Sequence, residues 1–170
     1  MFAKIFLITV LALFSQVAFG QSLWKDSTYG MTPGQVQSEF PEAIKPDTLS
    51  TLYGGAVELL TVKNVEIISK LFDSSFFFKD DKLTQVTVHL QKGNSVAAAK
   101  LAYGELREAL RAKYGPEINS DSSSGFMSRA STTWMSGKTN ITLFYNKTGD
   151  LDPILNVVYQ VRLATEADKL

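Results

Sequence analysis

Two stretches of the chain alternate strictly between apolar and polar residues, and that alternation limits what the chain can fold into. From Leu83 to Gln91, Thr84, Val86, Val88 and Leu90 fall on one side of an extended backbone, and Gln85, Thr87, His89 and Gln91 on the other. From Ile154 to Leu163, Leu155, Val157, Tyr159, Val161 and Leu163 alternate with Asn156, Val158, Gln160 and Arg162. Successive side chains of a strand point to opposite faces, so both stretches predict half-buried antiparallel strands. Their dry face needs a cover. The helical period of Ala99, Tyr103, Leu106, Leu110 and Lys113 or Tyr114 supplies one, as a helix from about Ser95 to Tyr114 ended by Gly115-Pro116. Lys100, Glu105, Arg107, Glu108 and Arg111 take its wet side. Gly104 lies inside this helix, where a close helix-on-sheet contact would explain it.

A shorter helix opens the chain's folded part. Thr32 is its expected N-cap, Pro33 its first residue, and Gln35 the partner that completes a capping box. Val36 and Phe40 share one face, and Pro41 stops the helix. Residues 42–56 read as a loop. Ala56 to Val62 reads as a strand, with a turn at Lys63-Asn64, and Val65 to Phe72 continues extended. Asp73-Ser74-Ser75 breaks the run before Phe76-Phe77-Phe78. Asn119 to Gly125 reads as a serine-rich loop. Strands are expected from Ser128 to Met135 and from Ile141 to Asn146. The order helix, strands, helix, strands predicts an α+β fold, with two helices on one face of an antiparallel sheet and a two-unit repeat.

Residues 1–20 have the form of a cleaved secretory leader. Lys4 precedes an uncharged run, Ile5 to Phe14, and Ala18-Phe19-Gly20 presents small residues for cleavage. The run is short for a membrane span, which needs about 20 apolar residues. The expectation is a single exported domain, 21–170, periplasmic or secreted, with no membrane insertion after cleavage. The chain has no cysteine, so packing must hold the fold without disulfides. With 17 basic and 17 acidic residues it has no cationic excess to attract nucleic acid. No cofactor or metal site is expected, since there is one histidine and no cysteine.

The stretch Gly30-Met31-Thr32-Pro33-Gly34-Gln35-Val36 resembles the G-M-T-x-x-Q-V helix start of two families of exported bacterial proteins. They are the β-lactamase-inhibitor-protein-like family and the small outer-membrane-assembly lipoproteins of the SmpA/OmlA type. The resemblance implies small helix-then-sheet units, an exported location and binding to other proteins. The lipoproteins carry a lipidated cysteine and the inhibitors carry disulfides, and neither feature exists here. No functional residue is carried over.

Candidate chemistry is sparse. His89 is the one histidine available as a base, and alternation puts it on the polar sheet face among Gln85, Thr87 and Gln91. Ser22-Leu23-Trp24-Lys25 and Lys147-Thr148-Gly149 match S-x-x-K and K-T-G, but no S-D-N lies between them, and Ser22 would sit at a free mature end. Phe76 and Phe78 are expected in the core, with Phe77 under an edge or loop. The binding candidates on the open sheet face are Trp134, Phe144, Arg162, Gln160, His89 and Gln85. The chain therefore reads as a protein-binding module, with another exported or envelope protein as partner, rather than an enzyme. A sheet face covered by the chain's own loops or tail would remove that reading. The alternatives are a periplasmic small-ligand carrier with an apolar cleft between helix and sheet, and a hydrolase built on His89.

Overall fold

The alternating stretches belong to one antiparallel sheet. A computed structural model describes residues 20–125 and 127–162. Residues 1–19, where a leader is expected, Phe126, Leu163 and the tail from 164 lie outside the described residues. The elements run α1 (Pro33–Glu39), β1 (Val57–Ile67), β2 (Lys70–Lys79), β3 (Lys82–Leu90), α2 (Val96–Tyr114), β4 (Asn119–Ser123), β5 (Met127–Ser136), β6 (Thr139–Thr148) and β7 (Ile154–Val161). The strand order is β1-β2-β3-β7-β6-β5-β4, so two meanders meet where β3 pairs antiparallel with β7.

Both helices start as their sequences dictate. The Thr32 hydroxyl accepts from the Gln35 amide while the Gln35 side chain accepts from the Thr32 amide. Ser95 caps α2 by accepting from the Ala98 amide. Helix α2 buries Ala99, Ala102, Leu106 and Leu110. One core holds these together with Val36 and Phe40, with Phe72, Phe76 and Phe78 of β2, and with Leu143, Tyr145, Leu155, Val157 and Tyr159. All the strand residues in this set share one parity, so both helices cover the same face. Trp24 stacks on Phe40 with centroids 5.7 Å apart, and Phe40 meets Phe76 at 5.1 Å.

Several expectations change. Lys63-Asn64 is an irregularity inside β1, with Asn64 at φ 56, while the true hairpin turn is Ile68-Ser69 at φ 49 and 55. A β-branched residue rarely adopts positive φ. Ile68 does so here while packing against the core, so burial outweighs a local preference. Asp73-Ser74-Ser75 lies mid-strand, paired with His89, Val88 and Thr87 of β3. The serine-rich segment 119–123 is the edge strand β4. Ser22 is docked: it bridges Thr28, and its carbonyl accepts from the Thr139 hydroxyl at 2.6 Å. Gly104 faces solvent, and a Cβ there would meet nothing within 4 Å.

Nothing in the packing therefore requires glycine at 104. Gly104→Ala is expected to stabilise the fold by about 0.5–1 kcal/mol in urea denaturation, because it removes backbone entropy from the unfolded chain. A loss of stability would mean that α2 has a neighbour at that point.

Candidate functional site

The sheet face away from the helices divides into two unlike halves. On β1, β2 and β3 it carries Glu58, Thr61 and Lys63, then Asp73, Ser75 and Phe77, then Gln85, Thr87 and His89. On β7, β6 and β5 it carries Asn156, Val158 and Gln160, then Asn140, Thr142 and Phe144, then Ser131, Thr133 and Met135.

The first half is built around Asp73. Its carboxylate accepts from the Lys63 ammonium at 3.1 Å, the Asn64 amide at 3.1 Å and the Gln91 side-chain amide at 2.8 Å. The positive φ of Asn64 belongs to the β1 irregularity beside this contact. Burial pushes the Asp73 carboxyl up, but the three donors outweigh it and hold the group below its ordinary value. The His89 Nε2 lies 3.9 Å from Asp73 Oδ2. Burial lowers the His89 pKa, and attraction to Asp73 and Glu58 offsets this only in part. The Thr61 hydroxyl donates to Glu58. No serine or threonine hydroxyl donates to His89 among the described residues.

A cleft of about 790 Å³ opens over this network. Pro46, Asp47, Thr48 and Ser50 wall one side, and Leu151 to Asn156 the other. The 44–58 stretch also lines the β1 edge, where Ile44 exchanges two backbone bonds with Thr61 and the Glu58 amide donates to Ser50. Glu58, Thr61, Ser75, Phe77 and Gln85 are consequently buried although they point away from the helices. The expectation of a wholly open face is corrected: over β1 to β3 the chain's own loop closes much of it.

The second half has no element laid over it among the described residues. Phe144 and Val158 are half exposed there, Met135 and Gln160 exposed. Thus Phe144 and Gln160 lie on the accessible part of the face and His89 borders the cleft. Arg162 follows β7 and is exposed, its amide donating to the Lys138 carbonyl at 2.7 Å. Gln85 is 8% exposed and donates to the Thr87 hydroxyl, so it is not an accessible contact. Trp134 is on the other face altogether. It pairs with Ile141, is fully buried under α2, and its indole donates to the Gly115 carbonyl at 3.1 Å. Its strand parity matches Thr132 and Leu143, which fixes it to the core side.

Sequence reasoning missed Lys63, Asp73 and Glu58. The signal was present, because Phe72, Ser74, Phe76 and Phe78 alternate with Asp73, Ser75 and Phe77 without interruption. Among the described residues no helix is long and apolar enough to cross a membrane. No protein-family model, no curated protein and no solved structure matches this chain.

The lone histidine gives a direct readout of the network. Its imidazole resonance should titrate below 6.5 in the folded protein, and Asp73→Asn should move the midpoint lower still by removing an attraction. A folded value depressed below the unfolded one means stability present above about pH 6.5 and lost as pH falls toward the folded midpoint. A midpoint above 6.5 would contradict the burial-dominated account.

Proposed function

We propose that this chain is an exported protein-binding module of the bacterial envelope, which holds a partner against the uncovered half of its sheet. The single observation that supports this reading most is the asymmetry of the sheet. One face is spent on the core, while the β4–β7 half of the other presents Phe144, Val158 and Met135 among asparagine and threonine side chains. Half-exposed aromatic and apolar groups within a polar rim are what a modest protein interface uses.

The leader-like N-terminus and the G-M-T-x-x-Q-V helix start favour an exported location and a kinship with small envelope proteins. The two meanders favour reading the fold as two helix-then-strands units, α1 with β1 to β3 and α2 with β4 to β7. On that reading the segment at Ile44, which bridges the β1 edge, is the counterpart of β4.

The test is a photo-crosslinking amino acid placed singly at Phe144, Val158 and, on the exposed side of α2, Ala109. In the native envelope fraction, the sheet positions should each give the same discrete adduct and Ala109 none. Adducts from Ala109 alone, or from no position, would reject the open face as the contact surface.

A further inference from the structure

The cleft over β1 to β3 is a different part of the sheet face from the one proposed to hold a partner, and its floor contains groups the fold leaves unused. Strand register sets that floor in rows. Glu58 lies opposite Phe77; Thr61 lies opposite Ser75, which in turn lies opposite Thr87. The Asp73 network stands further along. Asp73 precedes Phe77 by four residues on β2, which is roughly 13 Å at the usual rise of a strand. The cleft volume, about 790 Å³, is within the range of small-molecule sites.

Glu58 is the anomaly. It lines the cleft and is only 7% exposed. Among the described residues its carboxylate receives one side-chain hydrogen bond, from Thr61, and no lysine, arginine or histidine comes within ion-pair distance. A carboxylate taken out of water is costly unless opposite charge or several donors meet it. Asp73 shows the contrast, with three donors at its oxygens. The Thr61 bond brings the Glu58 carboxylate to the row that holds Ser75. Ser75 also lines the cleft, is 4% exposed, and its hydroxyl has no partner among the described residues. The cleft's own lysines do not answer Glu58. Lys63 is engaged by Asp73, and Lys92 follows the far end of β3, where Asp152 lines the cleft with it.

We infer that this cleft binds a small organic amine, with the ammonium group seated on Glu58. An ammonium group carries three N–H donors, and the Glu58 carboxylate with the Ser75 and Thr61 hydroxyls offers acceptors for all of them. The Phe77 ring beside Glu58 suits the cation and the methylenes next to it. Leu151 and Ile154, both exposed on the facing wall, suit an apolar body. Such a group can arrive as a free amine or as the N-terminus of a short peptide.

The test is calorimetric titration of the purified protein with phenethylamine and with its uncharged counterpart, phenethyl alcohol. The tripeptide phenylalanyl-alanyl-alanine is titrated alongside, with its N-terminus free or acetylated. Phenethylamine should bind saturably, and the alcohol and the acetylated peptide should not. Glu58→Gln keeps the side-chain shape and an acceptor for Thr61 but removes the charge. It should weaken amine binding by about tenfold or more, with no fall in unfolding temperature. Ser75→Ala removes one acceptor and no charge, and should weaken binding by a smaller factor; it carries the readout if Glu58→Gln unfolds the protein. Asp121→Asn, on β4 at the other end of the sheet, should leave affinity as it is. Tighter binding of the free tripeptide than of phenethylamine assigns the site to a peptide N-terminus; binding of phenethylamine alone assigns it to a free amine. No saturable binding of either overturns the inference. So does equal binding of the alcohol, or amine binding that neither Glu58→Gln nor Ser75→Ala weakens.

Discussion

Burial of one face of the sheet is the interaction on which the rest of the structure depends. The chain has no cysteine to cross-link it, so its stability must come from packing. Trp24, Phe40 and Phe76 form one continuous contact among the N-terminal segment, α1 and β2. At the far side, the Trp134 indole ties β5 to the end of α2 through the Gly115 carbonyl. The pairing of β3 with β7 joins the two meanders, of three and four strands, in one sheet. Because core residues occupy one parity of every central strand, the other parity is free to carry chemistry.

That second face is used unevenly. Over β1 to β3 it holds a closed polar network, with Asp73 receiving three donors and His89 kept near it by strand pairing. An ion pair of this sort, largely screened on the Lys63 side, contributes little by itself. Its structural consequence is larger: it fixes the irregularity at Asn64 and the shape of the cleft floor. Over β4 to β7 the face has neither such a network nor a covering loop among the described residues. A partner can approach there without first displacing bonded groups.

Much of this was legible in the sequence. The alternations over 85–90 and 154–161, the Thr32-Pro33-Gly34-Gln35 helix start and the 95–114 helix all appear where residue chemistry puts them, while a register shift at Thr84 breaks the first alternation at its start and turns Leu83 into the core. The misreadings share a cause. Ile68 is a poor turn residue, so its hairpin was invisible locally, and in the fold Ile68 takes a positive φ while packing against the core. Asp73-Ser74-Ser75 looks like a break because its residue types favour turns, yet cross-strand pairing overrides that preference. Trp134 was assigned by residue type as a contact residue, whereas its pairing with Ile141 across β5 and β6 puts it inside. The loop that closes over Gln85 follows from long-range packing, which no local pattern encodes.

Carbene footprinting tests the central claim most directly, by comparing the purified protein with the same protein in its envelope extract. Phe144 and Met135, on the uncovered half of the sheet, are the reporting positions, and Leu101, exposed on α2, is the reference. The account predicts that Phe144 and Met135 lose labelling in the extract while Leu101 keeps it. Unchanged labelling at Phe144, or equal protection at all three positions, would contradict it.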